Sequence, residues 1–323
     1  MRVIRYHSYG APDVLTIEDA EVPEPGPAEV LIKAEAIGVN FVETQRRRGT
    51  APFPTPLPNA PHGDVVGRVV AAGAEVTSVA VGDRVAAPVA GEAYADYAVS
   101  DATFLFPIPE DLGLAEASVL ASPAQTALCS LKTGQIKPGD TVLVHAASGS
   151  IGHLSLQLAK VLGAGTVIGT AGSARKLDFA REYGADVAVD YSAPDWDDQV
   201  RAATEGRGVD VIVDSVGGDV LRQGIGLLAP FGRLVFYGAA SGDIPKISPM
   251  ELIGLQFVTG SSLWAWWQHR PDEVRAGLDQ MAGLLVSGGL RVSLGTTLPF
   301  TEAAKAHQLI EERGHVGRIL LIP

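Results

Sequence analysis

"VHAASGSIGHLSLQLAK", residues 144–160, sets two glycines three apart, Gly149 and Gly152, between an apolar run and a helical pattern. Residues 141–147 read as a strand, and Ile151, Leu154, Leu158 and Leu162 recur on one face of a helix beginning near Ser150. The glycines therefore fall at the strand-to-helix turn. There the unpaired N–H groups of the first helical turn carry partial positive charge, and absent Cβ atoms let a pyrophosphate reach the main chain. Ser148, Gly149, Ser150, Ile151 and Gly152 are the candidate residues for that contact. A plain tight turn is the other reading, because Ala146 stands where the first glycine of G-x-G-x-x-G is usual.

The chain on either side of this turn favours the phosphate. "TVLVHAA", "TVIGTAG", "DVAVDY", "VDVIVDS", "GRLVFYGA" and "FVTGSSL" are six strand-like runs separated by helical stretches between residues 125 and 263. That alternation predicts an α/β domain with a mostly parallel, doubly wound sheet. Residues 1–124 have a different grammar: short β-branched runs such as "VLIKAEAIGVN" and "GDVVGRVVAAG", cut by proline and glycine, predict a β-rich domain. "PFPTPLPNAPHGD" must be an irregular loop, since proline cannot join a central ladder. After residue 263, Val274, Leu278, Met281 and Leu285 mark a helix and "GRILLIP" a last strand. The expected domains are 1–124 completed by 264–323, and 125–263.

A partner for the ribose 2′-OH would be an acid about 20 residues after the first glycine. Gly172-Ser173-Ala174-Arg175-Lys176 occupies that place, with no acid. Two cations near a helix start oppose its dipole unless an anion offsets them, which points to a 2′-phosphate on Lys176 and Ser173, and so to NADP(H). The competing reading is Ser173 as an N-cap followed by solvated cations.

Composition narrows the partners. The chain has 323 residues, enough for two domains, with 46% hydrophobic and 19% charged residues. A formal charge of −12 argues against nucleic acid, and "QRRRG" reads as a solvated face or loop. A single cysteine, Cys129, supplies neither an internal disulfide nor a thiolate cage, and reads as a small buried hydrophobe in a reducing, cytoplasmic compartment. No export signal and no membrane span are expected, because no apolar stretch approaches ~20 residues.

With "GVNFVETQRRRG", "GDVVGRVVAAGAEVTSVAVGDRV", "HAASGSIGHLSLQLAK", "YGADVAVDY", "DVIVDSVGG" and "HVGRILLIP" in hand, the chain resembles the zinc-independent quinone oxidoreductases of the medium-chain dehydrogenase/reductase superfamily over essentially its whole length. The resemblance implies a GroES-like first domain built from both chain ends, a Rossmann-type cofactor domain, a cleft between them, NADPH, and commonly a homodimer. It assigns the nicotinamide-side asparagine to Asn40 and cofactor contacts to Thr126, Lys176 and Tyr191. Val216, Gly217, Gly238, Ala239, Ser241 and Gly317 match backbone-approach or loop positions around the cofactor, and Arg318 stands where the family often carries lysine. Asn40 as a turn cap, Tyr191 as a strand-end aromatic and Gly238 as a strand end are the structural alternatives.

Zinc-dependent relatives use Cys, His and Cys. Asn40, Gly63 and about Ser122 occupy those places, so no metal is expected, and His62 and Asp64 read as a loop histidine and a turn carboxylate. The family often has tyrosines where this chain has Gln45 and Ala51, which leaves the proton donor open. Phe53, Trp264 and Trp266 are candidate walls for a flat conjugated acceptor, with strand alternation setting the two tryptophans on one face; core or dimer contacts are the alternative. The expected activity is hydride transfer from NADPH to a quinone or other conjugated carbonyl. An enone or alkenal double-bond reductase and a low-turnover NADPH sensor are the rivals.

Overall fold

The computed structural model describes residues 1–51 and 55–323 and divides into two compact units, Met1–Ser122 with Val292–Pro323, and Pro123–Arg291. In chain order come β1 (Arg2–Arg5), β2 (Thr16–Asp19), β3 (Glu29–Gly38), α1 (Phe41–Arg48), β4 (Gly63–Ala72), β5 (Arg84–Val89), β6 (Tyr97–Asp101), β7 (Phe106–Pro107) and α2 (Leu114–Ala121). The middle of the chain runs α3 (Pro123–Thr133), β8 (Thr141–Val144), α4 (Gly152–Val161), β9 (Thr166–Ala171), α5 (Ala174–Glu182), β10 (Val187–Asp190) and α6 (Trp196–Ala203). It continues through β11 (Val209–Asp214), α7 (Gly218–Ile225), β12 (Leu228–Phe236), β13 (Phe257–Gly260), α8 (Leu263–His269) and α9 (Pro271–Val286). Last are β14 (Leu294–Pro299), α10 (Ala303–Glu311) and β15 (Arg318–Ile322).

In the second unit the sheet order is β10-β9-β8-β11-β12-β13, every pair parallel. The chain starts at the centre with β8, works outward to β10, then returns to β11 on the other side. This reversal beside β8 is the topological switch point where open parallel sheets bind ligands. Strands such as "TVLV" and "VDVIVD" are almost continuously apolar because helices cover both sheet faces, and Leu143, Ile168, Ile212, Leu234, Val200 and Trp196 share one core.

The stretch 264–291 was expected to complete the first unit; it belongs to the second. The stripe Val274, Leu278, Met281 and Leu285 is buried as its spacing predicts, but α3 covers it, so closely that a Cβ on Gly277 would meet Leu128 Cδ2 at 2.6 Å. Burying each such side chain contributes about 2 kcal/mol, which ties α9 to the helix that leads into β8.

In the first unit β15 pairs antiparallel with β3, Leu320 opposite Gly38, so the chain's last strand joins a sheet laid down by its beginning. Ile32, Ile37, Val65, Val85, Ile319, Leu321 and Phe300 form the common core. The register of β3 on β4 sets Asp64 opposite Gly38. Residues 55–62 have no regular strand or helix beyond an isolated bridge from Asn59 to Tyr6, as their prolines require.

Candidate functional site

The turn between β8 and α4 gives its two glycines different tasks. The helix starts at Gly152, two residues later than its apolar spacing suggests. A Cβ on Gly152 would lie 2.2 Å from the carbonyl oxygen of Ala146, so this position must be bare for helix and turn to meet. A Cβ on Gly149 would meet only that same oxygen at 3.4 Å; the space outside it is open. Ala146 takes a left-handed φ of +51°, doing with strain of order 1 kcal/mol what a glycine would do freely. Ser148 is buried, and Ser150 Oγ is buried with no hydrogen-bond partner among the described residues. An orphaned hydroxyl beside open main chain at a helix start fits a ligand that both accepts hydrogen bonds and carries negative charge.

The next strand ends bring up further predicted residues. Ser173 occupies the N-cap of α5, yet its side chain makes no capping bond, so the cap alternative is not what it does. Lys176 lies half-buried in the first turn of α5. Tyr191 follows β10, its N–H donating to Ala171 O (3.2 Å) and its ring close enough to Gly172 that a Cβ there would meet it at 3.3 Å. Asp214 at the end of β11 accepts from the N–H groups of Val216 and Gly217, and Gly217 has φ +74°. The loop after β12 is laced to this turn: Ala240 N donates to Ser215 O and Ser241 N to Val216 O, both at 2.8 Å. Gly238 and Ala239 sit in the same pair of loops, a Cβ on Gly238 clearing Ser215 O by 3.5 Å and Ala239 Cα lying 3.3 Å from where a Cβ on Gly217 would be. Thr126 is half-buried on α3.

The aromatic residues depart from the expected strand. Residues 263–269 are helix α8, started by Ser262 accepting from Ala265 N, so Trp264 and Trp266 point about 200° apart instead of sharing a strand face. Trp266 Nε1 donates to Thr133 Oγ1 (3.1 Å) and Trp267, buried, to Gln125 Oε1 (2.9 Å); both tie α8 to α3. Trp264 is 60% exposed. Phe53 lies outside the described residues.

In the first unit the structure reassigns the decisive side chain. Arg318, predicted to touch cofactor, is fully buried in an ion pair with Asp64, and it also donates to Asn40 Oδ1 (2.7 Å), Val39 O (3.3 Å) and Ser118 Oγ (3.4 Å). Gly38 makes room for it, since a Cβ there would fall 1.6 Å from Arg318 Nη2. Gly317 serves the entry into β15: at φ +68° it packs on Ser293 O, which accepts from Arg318 N at 2.7 Å. Asp64, expected as a turn carboxylate, is a buried strand residue; only its adjacency to Asn40 across the β3–β4 pairing could have signalled this. Asn40 Nδ2 donates to Asp64 Oδ2 at 2.9 Å. Arginine and aspartate thus fix which way the amide faces, leaving one N–H of Asn40 uncommitted among the described residues.

"QRRRG" is not a solvated face either. Arg47 is buried and donates to Glu311 on α10, with Arg48 Nε 3.1 Å from the same carboxylate. Arg46 Nη1 donates to Glu43 Oε1 (2.6 Å) and to His62 Nδ1 (2.5 Å), while His62 N donates to Glu43 Oε2 (2.9 Å). Burial pushes the Glu43 carboxyl up to about 7 against the pull of Arg46, and burial together with Arg46 pushes His62 down to about 4. Burial likewise raises the Cys129 thiol to about 12. Among the described residues no three His, Cys, Asp or Glu side chains gather in a way that could hold a metal ion.

Comparison with known proteins fits both units. The alcohol dehydrogenase GroES-like domain matches residues 26–110, and the zinc-binding dehydrogenase family matches residues 150–282. A quinone oxidoreductase of Pseudomonas aeruginosa is 34% identical, over 99% of both chains. The chain belongs to the quinone oxidoreductases of the medium-chain dehydrogenase/reductase superfamily. A 2-haloacrylate reductase of a Burkholderia species is 37% identical over 98% of this chain and 97% of its own. The crystal structure of Escherichia coli quinone oxidoreductase complexed with NADPH superposes with a TM-score of 0.94 at 30% identity, covering all of both chains. The zinc-binding name attaches to a match over residues 150–282, which contain no cysteine; the chain's one cysteine, the buried Cys129, lies before them. The fold is the expected α/β architecture, a Rossmann-type parallel sheet with a GroES-like partner. No helix among the described residues is long and apolar enough to cross a membrane.

Proposed function

We propose that the chain is an NADPH-dependent oxidoreductase that reduces a quinone or another conjugated carbonyl compound. The observation carrying this reading is the bared main chain at the carboxyl ends of β8 and β11: Gly149 with open space outside it, Ser150 Oγ buried without a partner among the described residues, and Gly217 at positive φ. When bound, NADPH supplies the hydride, and the protein supplies binding, orientation and charge stabilisation. Ser148 to Gly152 would hold the pyrophosphate, and Ser173, Lys176 and Tyr191 the adenosine phosphate. Val216, Gly217, Gly238, Ala239, Ser241 and Thr126 would line the rest of the dinucleotide. Asn40 would donate its uncommitted N–H to the acceptor oxygen as negative charge builds there. Solvent can deliver the proton, so neither Gln45 nor Ala51 has to replace a tyrosine.

With Asn40, Gly63 and Ser122 in place of Cys, His and Cys, the reaction is proposed to need no zinc. Oxidation of NADPH by 1,4-benzoquinone after dialysis against a chelator should persist; its loss, or no turnover with quinones and enones alike, would refute the reading. Lys176→Glu should raise KM for NADPH roughly 10–100-fold, the equivalent of one charge-assisted hydrogen bond, while KM for NADH changes less than about twofold. Equal effects on both would remove the 2′-phosphate from Lys176.

Strand β13 ends the six-stranded sheet, and Phe257, Met250, Ile253 and Leu255 on and before it are exposed. An unpaired edge with apolar neighbours supports a homodimer through the second unit. Light scattering should give twice the chain mass, and Ile253→Asp with Phe257→Lys should halve it. A single cysteine, Cys129, which cannot close a disulfide within the chain, suits a cytoplasmic protein.

A further inference from the structure

His153 lies in the first turn of α4 and is fully buried. Its main-chain N–H donates to Gly149 O at 3.2 Å, as the helix requires, and its imidazole Nδ1 stands 2.8 Å from the same oxygen. A carbonyl oxygen only accepts, so Nδ1 carries a proton and donates it. Gly149 O thus takes two hydrogen bonds from one residue. The peptide that begins with this carbonyl ends in Ser150 N–H, and in a planar trans peptide the N–H points opposite to the C=O. Holding the oxygen toward α4 therefore aims Ser150 N–H away from the helix, with the donors that a helix start offers outward. Gly149 has no Cβ to restrict its rotation, so the peptide needs such a hold. The ring is fixed in its turn by α5. It stands edge-on to Tyr183, with centroids 5.2 Å apart and planes at 87°, and to Phe179 at 6.0 Å and 67°, while those two rings stack at 4.5 Å. Phe179 lies on α5 and Tyr183 closes it. Aromatic contact with both rings sets the plane of the imidazole, so Nδ1 cannot swing off Gly149 O without breaking that packing.

We propose that His153 is a positioning residue for the cofactor, locking the Gly149–Ser150 peptide so that Ser150 N–H is already aimed when the pyrophosphate arrives. The proposal rests on the reading that Ser148 to Gly152 hold the pyrophosphate, and it deepens that reading. His153 itself neither touches the cofactor nor moves a proton. It removes in advance the rotational freedom that a bare glycine peptide would otherwise lose on binding. Because NADPH and NADH share the pyrophosphate, the effect applies to both.

Two variants of the full chain separate the hydrogen bond from the ring. His153→Phe keeps the aromatic packing and removes the donor, and a ring carbon in place of Nδ1 must also stand back to about 3.3 Å or more from Gly149 O. His153→Asn removes the ring and keeps a donor, since Asn Nδ2 is bonded to Cγ as the imidazole Nδ1 is. By titration calorimetry His153→Phe should weaken both NADPH and NADH about five- to tenfold, with a melting temperature within about 3 °C of wild type. His153→Asn should melt about 4–8 °C lower yet weaken NADPH less than about threefold. A merely structural histidine would give the reverse order, affinity falling with stability. That order, or NADPH held by His153→Phe as tightly as by wild type, overturns the proposal and leaves the phosphate reading standing. Should His153→Phe not fold, histidine-selective nitrogen NMR of the wild type decides, with the His153 signal assigned by its absence from the His153→Asn spectrum. Nδ1 should be protonated and should shift when NADPH is added; an unprotonated or unmoved Nδ1 overturns the proposal. Wild type that takes up no NADPH overturns the phosphate reading as well.

Discussion

Replacing Arg318 by methionine should lower the melting temperature by about 6–20 °C, because breaking a buried ion pair costs about 3–5 kcal/mol and each kcal/mol shifts a unit of this size by about 2–4 °C. The loss arises from the partner left behind: Asp64 would stay in a site that excludes water, accepting only from Asn40. Removing both charges, as Asp64→Leu with Arg318→Met, should restore most of the thermal loss. It should not restore turnover. Asn40 would have lost the donor on its oxygen and the acceptor on its nitrogen, so its amide could rotate and kcat should stay low while KM for NADPH holds. Calorimetric melting beside steady-state kinetics separates the two effects. A single variant that melts with the wild type, or a double variant with full kcat, would show that the pair neither supports the unit nor orients Asn40.

Gly152→Ala and Gly149→Ala should fail differently. At residue 152 the new methyl would stand 2.2 Å from Ala146 O and 2.8 Å from Ala147 Cα, main-chain atoms that cannot step aside, so the turn must shift at a cost of about 1–3 kcal/mol or more. Lower stability and loss of NADPH uptake should appear together. At residue 149 the nearest protein atom is 3.4 Å away, so the fold should survive with a melting temperature within about 2 °C. The methyl would nonetheless occupy the open side of the turn, and NADPH affinity by titration calorimetry should fall at least about tenfold. Unchanged NADPH affinity in Gly149→Ala would move the phosphate away from this turn.

The parallel sheet was legible because its strands are buried on both faces and its helices on one, which prints short continuous apolar runs alternating with a 3.6-residue period into the residue order. The glycine turn was legible too, but not the division of labour inside it, since Gly149 and Gly152 look alike until their neighbours are known. Trp264 and Trp266 were misplaced for a local reason: "SSLWAWW" suits a strand by β-propensity, and the cap from Ser262 turns it into a helix instead.

By itself the residue order determined the two-unit architecture, the strand-turn-helix at residues 141–161 and the missing thiolates at Asn40 and Ser122, all matters of neighbours in sequence or of residue type. Only the tertiary structure decided that Arg318 turns inward to Asp64 and that α9 packs on α3. Those outcomes join residues as many as 278 positions apart, Asn40 with Arg318 among them, and no local periodicity records which buried charge meets which. Pairing of that kind is set by strand register and by the requirement that charges leaving water find partners.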